Sequence, residues 1–299
     1  MLKKMSQYIP KIYFGEAGYL EAVKDILTYG TARVERTGVG TKALFQLQFR
    51  YDVGAGFPLL TTKKMGLRLI FEELMWFLRG QTDVKLLKEK NVHIWDGNST
   101  REFLDKVGLK NLPEDDIGAS YGFQFRHAGA VYTNSGADYS GKGIDQVKEV
   151  IQLLKTDPHN RRIMISLWNV AQLKEMALPP CLCLYHFFVV DKKLSLGLYQ
   201  RSGDMGLGVP FNIASASLLL HIIARECQLV PHELIHTIGD CHVYNNHAEA
   251  LTEQVARIPF PLPSLEFLNQ HSNFEEYEFK DIRLNGYQSH PAINMEMAV

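Results

Sequence analysis

The chain is short of several things, and each shortage closes off a class. Its 299 residues include four cysteines, too few for a disulfide-stapled scaffold, so a reducing interior is expected. Neither sign of charge is in excess. Lysine plus arginine number 32 against 33 aspartate plus glutamate, and the formal net charge of −1 leaves no broad electrostatic footprint for nucleic acid or a membrane surface. The opening residues "MLKKMSQYIPKIYFGEAGYL" hold no apolar core of signal-peptide length, and no later stretch is expected to span a bilayer. A cytosolic location is therefore expected, with nuclear entry left open. Repeats, low-complexity tracts and linkers are missing too, so residues 1–299 read as a single domain. Residues 1–16 form a leader of uncertain order, and residues 97–118 a polar, irregular loop insertion.

What is present is an ordinary globular composition, 46% hydrophobic and 22% charged, with length enough for a large core. Helical spacing over residues 17–30 ends at Gly30. "TKALFQLQFRY" alternates, with Phe45, Leu47, Phe49 and Tyr51 expected to face the core. "GLRLIFEELMWFLRG" predicts a deeply packed helix, and "IDQVKEVIQLLKTDP" a helix stopped near Pro158. "RRIMISLW" predicts a strand, and "CLCLYHFFVVDKKLSLGLYQR" a hairpin turning at residues 191–193. "NIASASLLLHIIAREC" is a buried helix, "HELIHTIGDCHVY" a strand and "NHAEALTEQVAR" a helix, before a strand-rich end. Without a regular βαβ rhythm, the pattern predicts an α+β fold: a three-layer arrangement around one large, mixed, twisted sheet with helices packed on it.

The pair Cys181 and Cys183 admits several chemistries. Spacing of one residue, even with His186 or "CHVYNNH" nearby, does not fit the paired gaps of zinc sites, so no metal is expected. A disulfide between them is disfavoured, because residues two apart on a strand lie roughly 6.5–7 Å apart at Cα. A small buried hydrophobe is the ordinary fate of a cysteine and suits Cys183 and Cys227. Cys181 differs. The hairpin brings Arg201, Ser202 and Asp204 towards it; an arginine favours the thiolate, the attacking species, and Arg201 with Ser202 makes a phosphate grip. Arg161 with Arg162, and Arg36 beside flexible glycines, supply further cationic groups.

Several segments together resemble the thymidylate synthase family: "ERTGVGT", "GFPLLTTKK", "EELMWFLRG", "IWDGN", "DPHNRRI", "MALPPC", "LYQRSGDMGLGVPFNIAS", "HTIGDCHVYNNH", "GYQSHPAI" and the final "MEMAV". They cover the chain from about Gly18 to Val299 in the family's order. The resemblance implies reductive methylation of deoxyuridylate (dUMP) to thymidylate (dTMP), with 5,10-methylenetetrahydrofolate as carbon and hydride donor. It implies Cys181 as the nucleophile at uracil C6. Glu73 and Tyr121 would organise proton transfers, Asn212 would read the base, and Asp204 would touch pyrimidine and pterin. Arg36, Arg201 and Ser202 would hold the phosphate, and Arg161 and Arg162 would reach the partner's site in a homodimer packed through a sheet face. His242 and Tyr244 would bind the ribose hydroxyl. Ile94, Trp95, Leu207, Gly208 and Phe211 would wall the folate, Lys63 and Lys64 would meet its anionic tail, and Ala298 would belong to a closing C-terminal tail. Weak messenger-RNA binding belongs to the same analogy.

The chain also departs from that pattern. Leu182 stands where a histidine would follow the nucleophile, and His186 where a glutamine would stand. Ala119 and Ser120, Ala216 and Phe125 replace residues that are usually different, the last two by smaller ones. Two other functions compete. A pyrimidine hydroxymethylase of the same superfamily would quench the exocyclic carbon with water; Trp95 and the "MEMAV" tail argue for methylation. A catalytically silent RNA-binding homologue would lack the nucleophile or Asn212, and both are present.

Overall fold

The computed structural model describes residues 8–34 and 38–296. Strand β1 (Ile12–Phe14) runs directly into helix α1 (Gly15–Tyr29), followed by β2 (Thr31–Arg33) and the long β3 (Thr41–Asp52). Helix α2 (Leu67–Leu78), short helices α3 (Lys85–Lys88), α4 (Arg101–Lys106) and α5 (Tyr121–His127), and helix α6 (Gln146–Thr156) precede β4 (Met164–Ser166). The hairpin β5 (Leu182–Val190) and β6 (Lys193–Asp204) leads into α7 (Gly208–Glu226), β7 (Val230–Tyr244), α8 (Ala248–Val255) and the pair β8 (Ser264–Phe267) and β9 (Ile282–Asn285).

One seven-stranded sheet runs β1-β3-β7-β6-β5-β4, with β2 paired to β3. It is mixed: β6 and β7 are parallel, joined through α7, whereas β3–β7, β5–β6 and β4–β5 are antiparallel. The β5–β6 turn falls where expected. Asp191 and Lys192 both adopt positive φ (48° and 61°), the geometry of a two-residue turn whose twist matches its strands.

Alternation decides the layers. Tyr185, Phe187 and Val189 on β5, Leu194, Leu196 and Leu198 on β6, and Leu234 and Ile238 on β7 are all buried. Against that face lies α7, and α2 packs on α7 in turn, giving sheet, inner helix and outer helix. Helix α7 is the one candidate span among the described residues with length and apolarity enough to cross a membrane, contrary to expectation, but 72% of that window is buried inside the protein. Its apolar length is used by the core. The opposite sheet face is uncovered and apolar in places, with Phe14, Phe188 and Val190 exposed.

Of the leader whose order the sequence left uncertain, residues 1–7 lie outside the described residues, and residues 8–16 join the fold: β1 pairs in parallel with β3, and Tyr13 is fully buried. Two expectations need correcting. The 97–118 segment contains α4, capped by the Thr100 side chain on the Phe103 N–H, with Phe103 and Leu104 buried. Phe45 does not face the core. Leu47, Phe49 and Tyr51 do, but Gln46 takes φ +62°, which breaks the alternation, leaving Phe45 75% exposed and Leu44 buried.

Candidate active site

Cys181 sits immediately before β5, where two prolines have just ended the preceding loop. Its carbonyl accepts the Arg201 N–H of β6 at 2.8 Å, so the antiparallel pairing itself sets guanidinium beside thiol. The Arg201 side chain donates to the carbonyls of Pro180 and Pro179, each at 2.8 Å, and approaches the Cys181 Sγ at 3.6 Å. Trp168 lies against the same guanidinium, 5.6 Å from ring centre to charge. The Tyr121 hydroxyl accepts the Cys181 N–H at 2.7 Å. Burial pushes the thiol up from its ordinary value, and Arg201 and Tyr121 oppose it without reversing it. Arg201 thus favours the thiolate, as expected, but desolvation outweighs one guanidinium that is shared with two carbonyls. Cys183 is buried, with its thiol 3.5 Å from the Pro180 carbonyl, and all four cysteines are free.

Glu73 lies on α2, in the apolar run that predicted its cost. Burial pushes its carboxyl up to about 7, against the Trp95 indole N–H, which donates to it at 2.8 Å. Trp95 packs on Phe77 and Tyr121 with ring centres 6.2 and 6.0 Å apart, so one aromatic cluster links Glu73 to the tyrosine at Cys181. Glu72, by contrast, pairs with Lys90 at 2.6 Å.

Beyond β6 the chain turns into α7, and this junction gathers the remaining groups. Asp204 accepts from the Gly206 and Leu207 N–H groups at 2.8 and 3.0 Å. Burial pushes its carboxyl up, but His247, 3.6 Å away, and the Gly206 N–H hold it below the ordinary value. Lys63 is buried and donates to the Gly206 carbonyl; burial lowers its ammonium to about 8. Lys63 thus faces inward, and Lys64 is the exposed member of the pair. Leu207, Gly208 and Phe211 at the start of α7, like Ile94, are half-buried, while Trp95 is 7% exposed. Half-buried Asn212 receives the Gln200 amide at 3.0 Å.

On β7, His242 meets the Asp240 carboxylate at 3.2 Å and packs edge-on against Tyr244. Next to them, fully buried His247 donates through Nε2 to the Glu296 carbonyl at 2.7 Å, tying the tail to the Asp204 region. Ser202 is half-buried on β6. Arg161 and Arg162 are exposed on the turn before β4, at the sheet's edge. Arg36 and Ala298 lie outside the described residues. Among those described, no three His, Cys, Asp or Glu side chains converge as a metal site.

Sequence reasoning passed over Gln200, His236 and His247. For Gln200 and His236 the available signal was a polar side chain at an inward position of a strand, where burial demands a partner; His247, in the short turn of helix after β7, had no such signal.

The family model described as thymidylate synthase matches residues 17–299. The chain is 51% identical over 284 residues to the bifunctional dihydrofolate reductase-thymidylate synthase of Paramecium tetraurelia, covering 95% of this chain and 61% of that protein. It is 51% identical over 284 residues to the thymidylate synthase of Herpesvirus ateles, covering 95% and 98%. It is 48% identical over 290 residues to the thymidylate synthase of Homo sapiens, covering 97% and 93%. The chain thus spans 61% and 57% of two bifunctional relatives, from Paramecium tetraurelia and Zea mays, and nearly all of the two monofunctional ones.

Proposed function

The chain belongs to the thymidylate synthase family, and from that premise we propose that it methylates dUMP to dTMP. When bound, 5,10-methylenetetrahydrofolate supplies both the carbon and the hydride and leaves as dihydrofolate. The observation that carries the proposal is the convergence of thiol, guanidinium and carboxamide where β5, β6 and α7 meet. The Cys181 thiolate adds to uracil C6, which makes C5 carbanion-like and able to form a carbon–carbon bond; the same sulfur leaves at the end. The phosphate is held by Arg201 and Ser202, with Arg36 from the same chain and Arg161 and Arg162 from a second copy. His242 and Tyr244 take the ribose hydroxyl. Asn212 donates to O4 and accepts from N3–H, a pattern that uracil meets and cytosine does not.

Glu73, with a carboxyl near 7, exchanges protons with the pyrimidine at neutral pH at little cost. Tyr121 positions the cysteine backbone and assists proton movement at C5. The half-buried apolar side chains Ile94, Leu207 and Phe211, beside Trp95 and Asp204, fit a flat pterin with one polar edge. Exposed Lys64 suits an anionic tail better than Lys63 does. The tail, tied at Glu296 to His247, closes the site against water. A homodimer through the uncovered sheet face accounts for exposed Phe14, Phe188 and Val190 on a large sheet.

The test is mass spectrometry of the nucleotide after incubation with dUMP and 5,10-methylenetetrahydrofolate, with dihydrofolate followed in parallel. Thymidylate and dihydrofolate in equal amounts are expected. A 5-hydroxymethyl product without dihydrofolate, or no product, would overturn the proposal.

A further inference from the structure

Two polar side chains lie on the inward face of the sheet, and the chemistry above leaves them without a task. Gln200 on β6 is 2% exposed and His236 on the parallel neighbour β7 is fully buried. Polar groups so placed are costly unless hydrogen-bonded, and their bonds form one directed chain. Gln200 Nε2 donates to the Ser202 carbonyl at 2.8 Å. A backbone carbonyl can only accept, so the Gln200 amide has one permissible orientation. Its second amide proton goes to Asn212 Oδ1 at 3.0 Å. Its own oxygen, Oε1, faces His236 Nε2 at 2.8 Å, and that nitrogen must therefore carry the proton. His236 Nδ1 is buried without a hydrogen-bond partner, which a bare lone pair tolerates better than an N–H would. Burial lowers the ring's pKa to about 3, so it stays neutral and keeps this tautomer.

The consequence reaches the ligand. With Oδ1 bonded to Gln200, the Asn212 amide turns its NH2 away as a donor and keeps one oxygen lone pair to accept. Turning Asn212 over would set NH2 against NH2. Turning Gln200 as well would set its oxygen against the Ser202 carbonyl and its NH2 against the His236 N–H. In a low-dielectric interior such clashes are expensive. We propose that His236 is a positioning residue for pyrimidine choice: with the Ser202 carbonyl it holds the Gln200 amide from both ends, and through Gln200 it keeps the Asn212 carboxamide in the orientation that accepts uracil and refuses cytosine. The proposal rests on the reading of Asn212 as the group that contacts the base.

The test compares His236→Leu, which removes the donor but keeps an apolar fill, with His236→Gln, whose amide N–H can reach the Nε2 position. Affinities for dUMP and for dCMP are measured by calorimetry on wild type and both variants. His236→Leu should lose preference for dUMP by about tenfold, the equivalent of one hydrogen bond, with dUMP weakened more than dCMP. His236→Gln should restore it. Equal weakening of both nucleotides, or a Gln variant that behaves like the Leu one, would overturn the proposal. Nitrogen-15 NMR of wild-type His236 provides a check that needs no variant: an Nε2–H neutral ring is expected, and an Nδ1–H ring would refute the lock. If wild-type protein does not prefer dUMP, the base-reading role of Asn212 fails, and the NMR result still reports separately on the bond to Gln200.

Discussion

Replacing Glu73 by glutamine should make the protein more stable and far less active, and the gain should depend on pH. The carboxyl titrates at about 7 in the folded chain against a reference of 4.5, because burial outweighs the Trp95 N–H. A carboxylate with a raised folded pKa favours the folded state fully only below the unfolded value, and that contribution is lost as pH rises from 4.5 towards 7. At 1.36 kcal/mol per unit, the charged form therefore costs about 3 kcal/mol above pH 7. Glutamine keeps an oxygen for the Trp95 N–H and never ionises. Urea unfolding of both proteins at pH 5 and pH 8.5 should show little difference at the lower pH. At the higher pH the variant should be more stable by about 3 kcal/mol. Turnover should fall by about 10²–10⁴. A stability difference that is the same at both pH values would refute the reasoning, because it would mean that Glu73 is not held protonated by burial.

Cys181→Ser should abolish dTMP formation while dUMP still binds, read by isothermal calorimetry; retained turnover would remove Cys181 from the mechanism. Phe188→Asp, on the uncovered sheet face where Phe188 is 63% exposed, should shift sedimentation from dimer to monomer and lower activity, since Arg161 and Arg162 would then lack a neighbouring site. Arg126→Met removes a buried guanidinium from partly exposed Asp145 at 2.9 Å and Glu275 at 2.6 Å, and should cost about 1–3 kcal/mol in denaturant unfolding, because charge-assisted hydrogen bonds are lost while water still reaches both carboxylates.

Elements with a strong period were legible in the sequence. The β5–β6 hairpin follows from alternation plus turn residues, and α7 from its long apolar run. Cys181 and Arg201 could be placed together because a hairpin makes neighbours predictable. The helices α3, α4 and α5, of 4, 6 and 7 residues, are too short to show a helical period. The exposure of Phe45 depends on one backbone angle at Gln46. The chain from His236 through Gln200 to Asn212 was invisible because β6 and β7 become neighbours only through the α7 crossover, which no local pattern specifies. The raised thiol of Cys181 was missed because sequence shows the arginine and not the burial that opposes it.

The place of β7 in the sheet also bears on how the chain is made. It lies between β3 and β6, pairing Leu47 with Ile238 and Leu198 with His236, yet it is the last of the seven strands to leave the ribosome. Until it arrives, β3 has only the short strands β1 and β2, and β6 has one open side. Two long apolar-faced edges therefore wait for the same late partner, the situation in which nascent chains pair with one another instead. Contacts of such sequence separation close slowly, so the yield of folded protein should depend on translation rate and on chaperones that shield strand edges.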